Sequence, residues 1–451
     1  MLPPPPGIYS FAFTPQRGDR GWSAKNLFIM KIQSIRGVKD ILPDEIWKWQ
    51  YIESVAHNIF PRYGFKEIRL PIFEDTRLFS RSIGETTDIV EKEMYTFSDR
   101  SGDSITLRPE GTASVVRAYV EHKMYNPPSV LKMFYIGPMF RYERPQAGRL
   151  RQFNQIGVEA MGSPSPIVDV EVMTMLMEFF KELGLKEIKL EINSLGSQEC
   201  RPRYRELLQA EIEKHLDQLC SNCTGRYQRN PLRVLDCKVE QCGKIAEELP
   251  KLIDHLDTES AEHFSEVRSL LDSAGTPYSI NPRLVRGLDY YNRTAFEVTS
   301  QNLGAQNAIC GGGRYDTLVE ELDGPSTPCF GFALGLERLV SLVPFEDIKD
   351  LQKNPDIFIV CLGEEAKTTG FQIAHELRLK GFKVERDYEM GSMKSQMRKA
   401  NKTKSQFSLI LGENEIKSGK LALKNMETGE QIECPAQELA TKMAELSPNK
   451  L

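Results

Sequence analysis

Phe140-Arg141-Tyr142-Glu143-Arg144-Pro145-Gln146-Ala147-Gly148-Arg149-Leu150-Arg151-Gln152-Phe153 places four arginines and one carboxylate around a Pro/Gly turn. An apolar run, Val130 to Tyr135, precedes it, and a mixed, strand-like run, Gln152 to Ala160, follows. The spacing predicts two antiparallel strands joined by a basic loop that holds guanidinium forks at fixed separation. Planar forks meet phosphate oxygens two at a time, which flexible ammonium groups do less well, so the loop reads as an anion-binding hairpin. The aromatics beside it suit a ligand that is phosphate-rich and partly aromatic. A solvated surface hairpin is the plain alternative, and the loop alone does not decide between them.

Working outward, Asp44 to Phe60 carries Ile46, Trp47, Trp49, Tyr51, Ile52, Val55 and Ile59 at helical spacing and stops before Pro61. Gly64 to Pro71 alternates as an edge strand ended by proline. Glu93 to Phe97 and Ser104 to Leu107 predict a hairpin, Gly111 to His122 a helix, and Glu187 to Ile192 another strand. From about 201 to 274 the sequence becomes charged and helix-rich with a group of cysteines, the mark of an insertion, and strand patterns resume at Tyr278. In Phe330 to Val340 small residues give way to an apolar helix start, so a strand is expected to run straight into a helix. A polar, Pro-bounded linker over 346–354 then precedes a β-α-β-α-β pattern, hence a small α/β domain over 355–451.

Composition sets limits on this reading. The chain has 451 residues, enough for two or three domains, and its 40% apolar content suffices for packed cores. A net charge of −5 argues against a generally cationic nucleic-acid binder, so any RNA contact must come from local basic patches. No run of about 18 apolar residues exists, and no membrane span is expected. Nine cysteines without a regular framework suit a reducing cytoplasm. Residues 1–30 open on four prolines, contain only Asp19 as an acid and are expected to be disordered, with Met30 reading as the natural start.

Arg141 to Phe153 resembles motif 2 of the class II aminoacyl-tRNA synthetases, in its histidine-specific form. The helix and proline-ended strand over 44–71 are similar to motif 1, the dimer-forming element of that family. Gly331-Phe332-Ala333-Leu334-Gly335-Leu336-Glu337-Arg338-Leu339 is similar to motif 3. Leu284-Val285-Arg286-Gly287-Leu288-Asp289-Tyr290-Tyr291-Asn292 and Gly311-Gly312-Gly313-Arg314-Tyr315-Asp316 look like the two signatures of its histidine-specific branch. These motifs stand in the family's order and the resemblance runs from Met30 to Met443. It implies an α/β fold: an α+β catalytic domain over 31–345, with the class II antiparallel sheet flanked by helices and a helical insertion, followed by a C-terminal α/β anticodon-binding domain. It also implies ATP, L-histidine and tRNA(His) as substrates, Mg²⁺ with the nucleotide, and a cytoplasmic homodimer.

Residue roles follow from the same resemblance. Arg141 and Arg286 are the expected catalytic residues, flanking the α-phosphate and meeting the histidine carboxylate. Glu110 and Thr112 are expected to hold the substrate's α-ammonium, Gln155 its carboxylate end, and Glu159, Tyr290 and Tyr291 its imidazole. Glu143, Phe153 and Arg338 complete the ATP site with Arg141, Phe153 stacking on adenine. Arg144 and Gln146 fall at positions that read the acceptor end of tRNA. Lys399 and Lys402 lie in Lys394 to Lys404, which has five basic residues and no acid, and are expected to face tRNA phosphates. Two other readings, a histidine-sensing regulatory paralogue of an ATP phosphoribosyltransferase and a purely RNA-binding synthetase-like module, fit less well, because the three arginines and the C-terminal domain are all present.

Cys220, Cys223, Cys237 and Cys242 follow a CxxC, thirteen-residue gap, C-x₄-C pattern. Four thiolates so spaced could form a structural zinc site. The resemblance requires no metal there, so unliganded thiols are the favoured expectation and no protein-bound metal is assigned.

Overall fold

The computed structural model describes residues 32–84, 87, 89–146, 148–303, 307–351, 354–389 and 391–446. The expected disorder of residues 1–30 lies outside that range. Eight strands form the main sheet in the order Lys66–Glu67, Leu131–Phe140, Gln152–Met161, Cys329–Gly335, Ala308–Arg314, Asn292–Ser300, Ile188–Ser194, Ser279–Ile280. The six central strands pair antiparallel, and only the two-residue edge strands run parallel to their neighbours.

Side chains alternate across a pleated strand, and this alternation divides the molecule into two layers. Ile156, Val158 and Ala160, with Phe330, Phe332, Leu334, Phe296 and Val298 on neighbouring strands, face a core closed by the helices Ile46–Ile59, Pro166–Glu182 and Thr258–Ser273. The intervening residues, among them Gln155, Gly157, Glu159, Glu297, Gly331 and Ala333, face the other way. That second face carries the helix Thr112–Glu121 and the helices of the insertion between Arg201 and Glu248.

The helix Ile46–Ile59 buries Trp49, Ile52, Val55, Ala56 and Ile59, a stripe at helical spacing. It tightens into a 3₁₀ turn, Phe60–Tyr63, that passes through Pro61 and ends at Gly64, whose φ of +83° is the left-handed region. The expected strand over Gly64 to Pro71 contracts to Lys66–Glu67. Beyond it, Arg108 takes the backbone carbonyls that would have continued the ladder: its Nη1 donates to Leu70 O at 2.9 Å and Pro71 O at 3.1 Å, and its backbone N–H to Ile72 O at 2.9 Å. Tyr95–Ser98 and Ser104–Leu107 form the expected hairpin, joined by Phe73–Asp75 into a three-stranded sheet.

Arg314, at the end of its strand, is fully buried in an ionic cluster. Its guanidinium reaches both oxygens of Asp169 at 2.8 and 3.1 Å, Asp316 at 3.1 Å, and the carbonyls of Ser163 and Ser165. His263 adds a 2.9 Å contact to Asp169. One carboxylate thus ties the sheet to two of the helices packed on it.

Between the strands Ile188–Ser194 and Ser279–Ile280 the chain folds into helices Arg201–Glu213, Ser221–Arg226, Leu232–Leu235, Glu240–Glu248 and Thr258–Ser273. Part of the expected linker is ordered as a 3₁₀ segment, Phe345–Leu351, because Phe345 packs edge-on against Trp47 at 5.3 Å and anchors it to the first helix. The C-terminal unit has the parallel strands Val384–Arg386, Ile357–Cys361 and Phe407–Leu411 with helices Glu364–Leu379 and Met393–Lys402. It continues with an antiparallel pair, Lys420–Asn425 and Gln431–Pro435, and a last helix, Leu439–Leu446. Among the described residues no helix is long and apolar enough to cross a membrane.

Candidate active site

The sheet face opposite the main core carries a cavity of about 300 Å³. Glu110, Thr112, Arg141, Glu143, Phe153, Gln155, Arg286, Tyr290, Tyr291 and Arg338 all line it. Residues far apart in the chain converge because the hairpin, the 284–292 segment and the Cys329–Gly335 strand with its following helix meet at this face. Small residues at the outward positions, Gly311, Ala333 and Gly335, leave the room.

At the floor, Glu110 accepts the backbone N–H groups of Thr112 and Ala113 at 2.7 and 2.8 Å, an anion capping the helix Thr112–Glu121. Burial raises its pKa, and those N–H donors oppose the rise. Glu159 sits just beneath the cavity lining, 1% exposed. It accepts Thr112 Oγ1–H at 2.7 Å and the Tyr315 hydroxyl at 2.5 Å. Burial pushes its carboxyl up to about 8 against both hydroxyl donors. A Cβ on Gly331 would come within 2.0 Å of Glu159 Oε2, so glycine there is what admits the carboxylate.

Other residues of this floor escaped sequence reasoning. Tyr135 is buried, and its hydroxyl has no hydrogen-bond partner among the described residues. Gly157 lies directly across the ladder from it, and a Cβ there would fall 2.0 Å from the tyrosine ring. That facing tyrosine–glycine pair is a signal the sequence contained, but it is readable only once the hairpin register is known. Glu297 was hidden for the same reason: it is an ordinary strand residue until its cross-strand neighbours are known, whereas Tyr315 stood inside a quoted signature without a role of its own.

Tyr290 and Tyr291 form an aromatic wall with ring centroids 4.7 Å apart, extended by Tyr315 at 5.7 Å from Tyr290. The Arg286 guanidinium lies 5.4 Å from the Tyr291 ring centroid, and its Nη1 donates to Glu297 at 2.6 Å. Burial is the largest influence and disfavours the arginine's charge, but Glu297 together with Tyr291, Cys310 and Tyr290 outweighs it, so the pKa of Arg286 is raised. Its Nε is buried without a hydrogen-bond partner among the described residues. A buried guanidinium N–H left open beside a cavity is a donor waiting for an acceptor.

Across the cavity, Arg141 Nε donates to Pro109 O at 2.8 Å, and its guanidinium lies 5.4 Å from the Phe153 ring centroid. Glu143 faces Arg149 at 3.3 Å and Arg141 at 3.9 Å. Arg338 is held by two backbone carbonyls, Ala308 at 2.6 Å and Gly148 at 3.3 Å. Gly148 adopts a φ of +71°, the left-handed conformation that suits glycine at this turn. Burial lowers the pKa of Arg338, and the nearby Arg149 adds to the shift. Glu337, the residue before it, also lines the cavity and accepts Asn154 N–H at 2.9 Å, joining the helix Leu336–Leu342 to the hairpin.

The remaining expected residues lie elsewhere. Arg144 and Gln146 are exposed on the hairpin loop, Gln146 bordering an adjoining groove with Arg338. Lys399 and Lys402 lie in the C-terminal unit, outside this cavity. Lys399 is engaged inside its own unit, with Asp387 at 2.6 Å and Glu389 at 3.1 Å, and those hydrogen bonds raise its pKa. Lys394, Arg398 and Lys402, four residues apart on one helix, form the exposed basic face.

Residues 37–339 match the family model "Histidyl-tRNA synthetase", and residues 356–446 match "Anticodon binding domain". The chain is 53% identical over 400 residues to a histidine–tRNA ligase of Geobacter metallireducens, covering 89% of this chain and 96% of that one. It is 51% identical over 418 residues to the corresponding ligase of Halothermothrix orenii, covering 92% of this chain and all of the other. Among solved structures, the apo histidyl-tRNA synthetase of S. aureus superposes with a TM-score of 0.76 at 41% identity, covering 91% of this chain and 99% of that one. With the class II sheet, the motif arginines around one cavity and these relatives over nine-tenths of its length, the chain belongs to the histidyl-tRNA synthetase family.

Proposed function

We propose that this chain ligates L-histidine to tRNA(His) in two steps, forming histidyl-adenylate from ATP with release of pyrophosphate and then transferring the histidyl group to tRNA with release of AMP. The observation that carries the reading is the convergence of Arg141, Arg286 and Arg338 on one cavity that Glu110 and the two tyrosines also border. Relatives at about half identity over most of the chain carry the same activity in their names.

In the first step a carboxylate oxygen bonds to the α-phosphorus as the bond to the pyrophosphate oxygen breaks. Negative charge grows on the transferring group and on pyrophosphate, so fixed cations matter and a protein base does not. Arg141 and Arg286 flank the α-phosphate, Arg286 through the donor that the protein leaves open. Arg338 meets the polyphosphate, and Phe153, already beneath a guanidinium, stacks on adenine. Glu143 and Glu297, the carboxylates that line the cavity, would hold Mg²⁺ with the nucleotide, and the ion would supply charge neutralisation of pyrophosphate. Glu110 and Thr112 hold the α-ammonium, Gln155 the carboxylate end, and Tyr290 and Tyr291 enclose the imidazole. Glu159 acts one layer deeper, orienting Thr112 and Tyr315. In the second step the terminal ribose hydroxyl attacks the adenylate carbonyl, with an adenylate phosphate oxygen as base and AMP leaving.

Gly311 tests the placement of Arg286. A Cβ there would fall 2.2 to 2.5 Å from three guanidinium atoms, all at the free end of a flexible side chain. Gly311→Ala is therefore expected to leave thermal stability nearly unchanged while displacing the guanidinium, and a misplacement of this size costs about 100-fold in rate. Adenylation by that variant within about threefold of the parent would count against the placement.

The basic helix face supports tRNA binding by the C-terminal unit, and Arg144 and Gln146 are exposed where an acceptor end can reach them. Arg398→Ala with Lys402→Ala is expected to weaken tRNA binding and reduce the slope of log K against log[salt] by roughly 1 to 2, since each phosphate contact contributes about 0.7 to 0.9. An unchanged slope argues against this face. We assign a homodimer, supported by Ile72 and Phe73 standing exposed beside the short edge strand Lys66–Glu67, and a cytoplasmic location, supported by nine free thiols. Pyrophosphate exchange run with each of the twenty amino acids tests the whole reading: exchange with histidine alone is expected, and its absence would favour a histidine-sensing or RNA-binding role.

A further inference from the structure

We propose that Cys220, Cys223, Cys237 and Cys242 bind one Zn²⁺ ion as a structural centre of the helical insertion. Their four sulfur atoms lie within 4.8 Å of one another. The Sγ atoms of Cys220 and Cys237, seventeen residues apart, are separated by 3.8 Å. Four thiolates arranged tetrahedrally at a Zn–S distance of about 2.3 Å lie about 3.8 Å apart, the separation found for Cys220 and Cys237, and no pair exceeds it by more than about 1 Å.

The sulfurs come from separate pieces of backbone. Cys220 stands at the entrance of the helix Ser221–Arg226 and Cys223 within it. Cys237 follows the short helix Leu232–Leu235, and Cys242 lies in the helix Glu240–Glu248. Cys223 and Cys242 are completely buried. The backbone N–H of Cys220 donates to Cys242 Sγ at 3.2 Å, the kind of N–H to sulfur bond that stabilises a charged thiolate.

A disulfide, an iron–sulfur cluster and plain packing each account for these thiols less well. All four are free, and a disulfide needs sulfurs at about 2.05 Å and would join only two of them. An iron–sulfur cluster binds its thiolates to different irons and would spread them further apart than this. Simple apolar packing gives no reason for four thiols from three helical segments to meet at one point, when the surrounding Val234, Leu235 and Ile245 could fill the same space. The sequence pattern alone favours unliganded thiols, and the convergence of all four sulfurs reverses that preference.

The centre has a mechanical consequence for its neighbourhood. The thirteen residues between Cys223 and Cys237 include Arg226, Arg229 and Arg233. These three arginines line a cavity of about 520 Å³ whose opposite side is formed by Arg141, Glu143 and Arg286. The segment also touches the catalytic body, through Arg229 to Glu91 at 3.5 Å and Asn230 to Asp289 at 3.3 Å. A metal fixing both ends of this segment fixes one wall of the region beside the adenylation site.

The test is independent of catalysis. Full-length protein purified without chelator is expected to carry about one equivalent of zinc per chain. Replacement by Co²⁺ is expected to give the thiolate-to-metal charge-transfer and tetrahedral d–d bands of a sulfur-ligated site. Cys237→Ser should lose both signals, whereas Cys200→Ser, outside the cluster, should keep them. Chelation should speed proteolysis within 220–242. Zinc below about a tenth of an equivalent together with no cobalt–thiolate absorption in the unmutated protein overturns the proposal, as does equal metal retention by Cys237→Ser with Cys242→Ser. Because the cobalt spectrum is read on the unmutated chain, a variant that fails to fold does not obscure the result.

Discussion

Arg286→Ala is expected to slow histidine-dependent pyrophosphate exchange by about 100- to 1000-fold, the loss of about 3 to 4 kcal/mol of transition-state stabilisation that removal of one fixed charge donor from a closed site typically brings. The magnitude rests on preorganisation. Arg286 is buried, carries its charge against desolvation with the help of Glu297, and is braced by the Tyr291 ring. Its Nε has no partner among the described residues, so a donor stands ready and needs no rearrangement to meet developing charge. Histidine affinity should fall much less, since Glu110, Thr112 and the tyrosine wall remain. Equilibrium histidine binding compared with exchange rates separates the two effects: near-normal exchange refutes the assignment, and equal losses in both place Arg286 in ground-state binding instead.

Asp169→Ala should destabilise the catalytic domain by about 3 to 5 kcal/mol, the usual result of stripping one partner from a buried ion pair. Arg314 cannot reach water to recover its solvation, and only Asp316 and two carbonyl groups would still face its guanidinium. The helices bearing Asp169 and His263 would lose their common polar link to the sheet as well. The urea midpoint of the catalytic domain measures this loss. A shift equivalent to less than about 1 kcal/mol would mean that water or a rearranged Asp316 compensates.

These two residues show where the sequence was legible. Arg286 was singled out because its motif resembles a family signature, and the folded chain places it on the cavity. Asp169 carried no such mark: it is an acid in the first turn of a helix, and only the folded chain reveals that it serves Arg314 rather than the helix dipole. The strand–helix junction at 329–342 and the long hairpin were readable because each is built from local periodicity and turn residues. The failure at Gly64 to Pro71 was non-local, since Arg108, nearly forty residues on, competes for the carbonyl groups. The partners of Lys399 were not legible either: a basic run reads as a surface for anions, and only the folded chain shows Asp387 and Glu389 paired with one of its members. The strands Lys420–Asn425 and Gln431–Pro435 went unread because neither carries a β-branched or aromatic run, so that sheet pairing outweighs their weak propensity.

The strand Cys329–Gly335 alternates phenylalanine or leucine on its core face with glycine or alanine on its cavity face. Sliding it by a single position against Gln152–Met161 would thrust Phe330, Phe332 and Leu334 into the cavity and turn glycines toward the core. A mispaired molecule is therefore also an inert one. Correct strand pairing and an open cavity are thus one and the same requirement on this strand.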